Sequence, residues 1–170
     1  MKKNSILDEL FYDPSCGALT YKEVRYMLIR PETIIGFQKT VEEINRKTAG
    51  DALFQGGFQG GYLSAKKYKE IHNFNDNQII DFMMEMGTEI GWGHFHLDYF
   101  NSARQLLRIT VKKSPFAVAY GESSAGVCHL IRGVVSGLAT SLFGKDFIAS
   151  EIECLAKGDA QCVFSIMEII

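Results

Sequence analysis

Apolar residues recur at helical spacing in two segments of the first half of the chain. Pro31 suits a first helical turn, and we expect a helix from there to about Lys47, with Gly50 ending or bending it. Its apolar positions are Ile34, Ile35, Phe37, Val41 and Ile44. Asn75 caps a further helix with a methionine-rich face. That face is formed by Ile79, Ile80, Phe82, Met83 and Met86.

The segment between these helices, residues 51–71, is rich in glycine. Gly56, Gly57, Gly60 and Gly61 would each weaken an isolated helix by ~1 kcal/mol relative to alanine. We therefore expect the missing Cβ atoms to serve a close approach, either of another helix or of a ligand in a pocket. The spacing does not match a dinucleotide-binding fingerprint, which also requires a preceding strand.

Beyond Gly91 the apolar positions alternate, as they do in strands. Residues 92–99 and 105–111 flank a turn signal and predict an antiparallel hairpin. His94 and His96 would then point to the same face of the first strand. A His-x-His pair is a possible metal or acid-base element, although histidines of the surface or core are more common.

The last third of the chain predicts one buried helix and a second hairpin. A helix capped by Ser123 or Ser124 would run from about Ala125 to Phe143 and is apolar on most sides. Residues 147–155 and 161–170 then indicate two strands joined by a Gly-Asp turn.

Two other segments lack a regular pattern. We expect residues 1–23 to form a loosely structured leader, in which Cys16 is a solitary thiol, and residues 113–124 to form a loop. No repeat or linker interrupts the chain. The elements together indicate an α/β (α+β) fold, with helices packed on one antiparallel sheet.

Composition and charge narrow the class of protein. A chain of 170 residues with 46% hydrophobic and 22% charged residues is typical of one soluble globular domain. A net charge of -2 without blocks of like charge argues against a nucleic-acid partner. No segment reaches the ~20 apolar residues of a membrane span or has the apolar run of a signal peptide. We therefore expect a cytoplasmic protein whose thiols stay reduced.

Three of the four cysteines fall in the last third of the chain, close to acidic residues. Cys154 and Cys162 would face each other across the terminal hairpin, and Cys128 would lie in the first turn of the buried helix. Zinc takes thiolate, imidazole or carboxylate ligands in a tetrahedral arrangement. The candidates for a fourth ligand are Glu151, Glu153 and His129. The alternative is three buried cysteines that act as small hydrophobic residues.

These acidic and cysteine positions form the pattern Glu151-x-x-Cys154-x-x-x-Gly158-x-x-x-Cys162-x-Phe164. Further passages are Gly17-Ala-Leu-Thr-Tyr-Lys, Tyr26-Met-Leu-Ile-Arg-Pro-Glu, Met86-Gly-Thr-Glu-Ile-Gly-Trp-Gly, Ser114-Pro-Phe-Ala and Cys128-His-Leu-Ile-Arg-Gly. Together, from about residue 17 to residue 164, they resemble the 4-vinyl reductase domain family. The resemblance implies a leader at residues 1–16 and a domain at residues 17–170.

The resemblance also implies a metal site and an architecture. In aromatic-sensing members of the family, one Glu and three Cys hold a zinc ion. The matching positions here are Cys128, Glu151, Cys154 and Cys162. The family's fold is similar to that of small subunits of the TRAPP vesicle-tethering complex, often dimeric, with an apolar pocket between helices and sheet. Phenol-sensing relatives read their ligand with a His and a Trp, but Trp92 lies in a glycine-flanked turn that we do not equate with theirs.

We therefore expect a stand-alone domain with a structural zinc ion that binds or senses a small hydrophobic or aromatic molecule, as a homodimer. Four protein ligands leave zinc no open position for catalysis, so we assign no catalytic residue. One alternative is a reductase acting on a tetrapyrrole vinyl group, which would need a hydride-donating cofactor whose fingerprint is missing. Another is a dimeric assembly module of the TRAPP-subunit type.

Overall fold

The computed structural model describes residues 4–169, which form five α-helices, seven strands and one short 3-10 helix. In chain order the elements are α1 (Ser5–Glu9), β1 (Phe11–Asp13), β2 (Ala18–Tyr21), β3 (Val24–Tyr26), α2 (Pro31–His72), α3 (Asp76–Glu89), β4 (His94–Asn101), β5 (Leu106–Lys112), α4 (Pro115–Tyr120), α5 (His129–Phe143), β6 (Phe147–Glu153) and β7 (Cys162–Glu168). The 3-10 helix, Leu155–Lys157, connects the last two strands.

The main sheet has four antiparallel strands in the order β4-β5-β7-β6. Both predicted hairpins are confirmed, since β4 pairs with β5 and β6 pairs with β7. The central pair, β5 and β7, buries alternate residues against the helices. These residues are Leu107, Ile109, Val111, Phe164 and Ile166. The predicted fold class, helices packed on an antiparallel sheet, is confirmed.

The N-terminal segment is ordered, and the expectation of a loose leader over residues 1–23 was wrong for its described part. Residues 5–9 form α1, and β1, β2 and β3 form a small antiparallel sheet that was not predicted. Ile6, Ala18 and Tyr21 are buried. Strands of three or four residues are too short to show a clear alternation. Residues 1–3 lie outside the described residues, and the division between residues 16 and 17, which falls between β1 and β2, stays a prediction.

The long helix α2 is interrupted at Asn45 rather than at Gly50. Asn45 has φ -159° and ψ 109°, outside the helical region. Its Oδ1 accepts a hydrogen bond from the backbone N–H of Thr48 at 3.1 Å, so the asparagine caps the second half of the helix. Gly50 lies inside that half, where an added Cβ would be 3.2 Å from Cε1 of His129. The cap therefore fixes the position of the break.

Glycines on both helices allow α2 and α5 to pack backbone against backbone. A Cβ added to Gly57 or Gly61 of α2 would overlap a carbonyl oxygen of α5. The contact is reciprocal, because a Cβ on Gly133 or Gly137 of α5 would overlap a carbonyl oxygen of α2. The expected close approach of another helix is thus confirmed for two of the predicted glycines, whereas Gly56 has open space around its Cβ position.

Two boundaries near the cysteines differ from the prediction. The segment at residues 113–124 contains α4, which begins after Ser114 and is short enough to escape a periodicity test. α5 begins at His129 with Cys128 as its N-cap residue, so the predicted start at Ala125 was wrong. Ser123 does not cap α5, since its Oγ accepts hydrogen bonds from Arg46 and from the N–H of Ala125. None of the helices within residues 4–169 is both long and apolar enough to cross a membrane.

Candidate metal centre and adjoining cavity

Four potential metal ligands converge where α5, β6 and β7 meet. Cys128 is the N-cap residue of α5, Glu151 lies in β6, Cys154 follows β6, and Cys162 begins β7. One ligand atom from each residue lies within 4.8 Å of those of the other three. All four residues predicted for the site are therefore brought together, and the cluster could hold a metal ion.

The other ligands considered from sequence lie outside this cluster. Neither Glu153 nor His129 belongs to the group, and a bulge in β6 separates Glu151 from Glu153. His94 and His96 are both exposed on β4, as the alternation predicted. Among residues 4–169 no group of three potential ligands includes either histidine, so the His-x-His element gains no support as a metal site.

The sulfur geometry suits a tetrahedral ion. The Sγ atoms of Cys128 and Cys162 are 3.7 Å apart. Two thiolates bound to one zinc ion at ~2.3 Å would be separated by ~3.8 Å in a regular tetrahedron, whereas a disulfide needs ~2.05 Å. All three cysteines are at most 1% exposed. The backbone N–H of Leu155 donates to Sγ of Cys162 at 3.4 Å, which favours a thiolate there.

The Glu151 carboxylate is held at the start of α5 with one oxygen unsatisfied. Its Oε2 accepts a hydrogen bond from the N–H of Cys128 at 3.0 Å. Its Oε1 is buried and has no hydrogen-bond partner. Gly126 makes room for this arrangement, since a Cβ there would lie 2.5 Å from Oε2. Because a buried carboxylate oxygen without a partner is costly, the orphaned Oε1 fits a metal ligand.

The acidic groups of the cluster compete for protons. Burial, with a further contribution from Cys154, raises the pKa of Glu151 to about 8. Hydrogen bonds to Cys154 and Cys162, together with burial, raise the pKa of Cys128. Hydrogen bonds from Cys128 and Cys162 lower the pKa of Cys154. A bound cation would favour the ionised forms of all four groups, so metal binding to this donor set would release protons.

A cavity of about 140 Å³ lies further along α5. Its wall is predominantly apolar and comes from α2, α3, α5, the end of β3 and the beginning of β4. The apolar side chains are Met83, Met84, Met86, Ile90, Trp92, Phe95, Val134, Val135 and Leu138. Gly60 and Gly61 also line the cavity, so the second expectation for the glycine segment, pocket lining, holds as well.

Sequence reasoning did not assign Trp92 or Tyr26 to this wall. Trp92 lines the cavity and packs edge-on against Phe116, with ring centroids 5.2 Å apart. Tyr26 reaches the same cavity from the end of β3. The two aromatic residues are far apart in sequence, and neither belongs to a periodic pattern. Only their chemistry, an apolar ring with a polar tip, could have suggested them.

A larger and more open pocket, of about 420 Å³, lies beside α1 and α3. Its lining includes Asn4, Glu85, Glu89 and His94, so it is much more polar than the cavity along α5. A polar, solvent-open depression gives a small apolar molecule little reason to leave water. The cavity along α5 is therefore the better candidate for such a ligand.

Comparison with known sequences gives one family match and one short relative. Residues 107–168 match the model of the vinyl-4-reductase domain. A stretch of 39 residues is 36% identical to protein MJ1460 of Methanocaldococcus jannaschii and covers 23% of this chain. The match spans about a quarter of the length of that relative, 24%.

Comparison with solved structures gives the fold. The phenol-responsive sensory domain of the transcription activator PoxR, solved with phenol, is similar with a TM-score of 0.84 and 18% identity, over 96% of this chain and 86% of that chain. A vinyl-4-reductase family protein of Methanocaldococcus jannaschii has a TM-score of 0.58 and 18% identity, over 88% and 86%. Trafficking protein particle complex subunit 3 of Naegleria fowleri has a TM-score of 0.55 and 9% identity, over 82% and 95%. The resemblance to the 4-vinyl reductase domain family is thereby confirmed, with the family model matched at residues 107–168 and a fold shared with a TRAPP subunit.

Proposed function

We propose that this protein is a zinc-containing domain that binds a small apolar or aromatic molecule in the cavity along α5. The observation that carries the proposal is the cavity itself, about 140 Å³ with a mainly apolar wall. An engineered apolar cavity of about 150 Å³ in another protein holds benzene, so this volume suits a single ring. The PoxR sensory domain, which shares the fold, was solved with phenol, and this supports the same class of ligand.

The proposed zinc ion has a structural role. Three thiolates and one carboxylate, from Cys128, Glu151, Cys154 and Cys162, would fill a tetrahedral coordination sphere. No position would remain for water or substrate, so the site supports folding rather than catalysis. Its ligands come from the start of α5 and from the terminal hairpin, and the zinc ion would tie these two elements together.

Ligand binding can be tested with two matched glycine variants of α2. Gly60 lines the cavity and Gly56 does not, yet a Cβ added at either position meets nothing within 4 Å. We expect wild-type protein and Gly56→Leu to bind phenol or benzene in calorimetric titrations. Gly60→Leu should bind at least tenfold more weakly, because its side chain competes for the cavity. Absence of binding to the wild-type protein would refute the proposed ligand class.

The metal can be tested with two cysteine variants. Native mass spectrometry of wild-type protein purified without chelator should show one zinc ion per chain. Cys154→Ser should lose the zinc ion and several kcal/mol of folding free energy, since structural zinc contributes directly to folding. Cys16, which is exposed and outside the cluster, provides the control, and Cys16→Ser should retain the metal. Zinc-free wild-type protein would contradict the site.

We also propose a homodimer in the cytoplasm as the working form. Met27 and Leu28 before α2, and Phe37 and Ile44 on it, are 55–84% exposed. Large apolar side chains left in water favour an interface with another chain. Light scattering at micromolar concentration should report twice the mass of one chain, and a monomer would contradict the proposal.

A further inference from the structure

Two tyrosines provide a polar group at the wall of the cavity. Tyr26 and Met86 both line it, whereas Tyr68 of α2 is fully buried behind them and does not. The hydroxyl oxygen of Tyr26 is 2.5 Å from that of Tyr68 and 3.6 Å from Sδ of Met86. Because both groups around it belong to the wall or to the core behind it, the Tyr26 hydroxyl lies at the edge of the cavity.

The hydrogen bond between the two hydroxyls has a favoured direction. Tyr68 is packed among the rings of Tyr21, His72 and Phe82. Within residues 4–169 its hydroxyl has Tyr26 as its hydrogen-bond partner, and a buried hydroxyl that donates to nothing is costly. Tyr68 therefore donates and Tyr26 accepts. In agreement with this direction, burial and the bond to Tyr26 raise the pKa of Tyr68.

Tyr26 is then left with its own proton and a poor acceptor for it. Met86 Sδ, the acceptor that the structure provides, is a thioether sulfur and accepts only weakly. A ligand oxygen in the cavity would accept this proton better. Burial raises the pKa of Tyr26, so the hydroxyl keeps its proton at neutral pH. The other polar side chains of the wall are those of Ser64 and Trp92.

We propose that Tyr26 determines the ligand specificity of the cavity by donating a hydrogen bond to an oxygen atom on a single-ring ligand, with Tyr68 holding the Tyr26 hydroxyl in position. The inference rests on the proposed function of the cavity. It defines the ligand class as uncharged monocyclic molecules with a carbonyl or hydroxyl oxygen. None of the described residues that line the cavity is charged, so a carboxylate on the ligand would lose its hydration without compensation.

The test compares two probes of similar shape, benzene and benzaldehyde, whose carbonyl oxygen can only accept. Trp92 is the single tryptophan of the chain and lines the cavity, so its fluorescence reports binding without a label. Tyr26→Phe should weaken benzaldehyde binding about tenfold, the loss expected for one hydrogen bond to an otherwise unchanged ligand. Its affinity for benzene should stay within about twofold of wild type, as should both affinities of Ser64→Ala.

A second measurement avoids variants. The infrared carbonyl stretch of benzaldehyde bound to wild-type protein should lie at lower wavenumber than in cyclohexane, because a hydrogen bond weakens the C=O bond. An unshifted stretch would overturn the inference, as would equal losses for both probes in Tyr26→Phe or a selective loss in Ser64→Ala. These results would leave the proposed function standing. Failure of both probes to bind wild-type protein would refute the inference and the proposed ligand class together.

Discussion

Gly57 in α2 shows how one missing Cβ controls the contact between two helices. A Cβ there would overlap the carbonyl oxygen of Leu130, whereas the Cβ position of neighbouring Gly56 is open. Gly57→Ala should therefore force α2 and α5 apart and destabilise the protein by about 3 kcal/mol. Gly56→Ala should stabilise it by about 0.5–1 kcal/mol through its better helix propensity. Urea denaturation measures both, and similar effects of the two changes would contradict the packing.

Glu151 can be separated from Glu153 by their effects on metal affinity. A glutamine at position 151 still accepts the hydrogen bond from the N–H of Cys128 but loses the anionic oxygen. We expect Glu151→Gln to weaken zinc binding at least tenfold in competition with a chromophoric chelator. Glu153→Gln, outside the cluster, should leave it unchanged. Equal losses for both variants would show that overall charge, rather than coordination, governs the affinity.

The candidate site could be predicted from sequence only where its residues share a short pattern. Glu151, Cys154 and Cys162 surround one turn, and the family pattern contains all three. Residue spacing alone left Glu153 and His129 open, because the bulge in β6 that separates the two glutamates has no reliable sequence signal. Tyr26 and Trp92 escaped prediction, since only the folded chain brings β3 and the turn before β4 to one cavity.

At the scale of elements, long periodic segments were predictable and short ones were not. The hairpins β4-β5 and β6-β7 and the helices α2, α3 and α5 were each expected, because their burial repeats over several turns or strand residues. α1, α4 and the β1-β2-β3 sheet are too short to show a period. The interruption of α2 was displaced because a side-chain cap at Asn45 competes with Gly50, which helix propensity alone marks as the weaker position.

The proposed zinc site leads to an element-level expectation for α5 and the terminal hairpin. Cys128 begins the helix, while Cys154 and Cys162 flank the 3-10 helix. Removing the metal with a chelator should increase hydrogen exchange at residues 127–132 and 154–162, because their backbone loses its cross-link. The centre of β5, residues 107–111, should stay protected by its two neighbouring strands. Uniform loss of protection would show that the cluster supports the whole fold.

At the scale of the whole molecule, α5 connects the metal cluster with the cavity. Cys128 lies at the start of this helix, and Val134, Val135 and Leu138 of the same helix line the cavity. A zinc ion that fixes the start of α5 would therefore also fix part of the cavity wall. The binding free energies of the two proposed sites would then be coupled, and the coupling acts equally in each direction.

Calorimetry on zinc-loaded and chelated protein can measure this coupling. We expect benzene to bind about fivefold more tightly to the zinc-loaded form, near the lower end of typical coupling free energies of about 1–3 kcal/mol. Saturating benzene should raise the zinc affinity by the same factor. Gly60→Leu supplies the control, because a blocked cavity should remove the effect of benzene on zinc binding while the cluster remains intact. Identical benzene affinities in folded loaded and folded chelated protein would mean that the cavity wall is held by the α2-α5 glycine contact rather than by the metal.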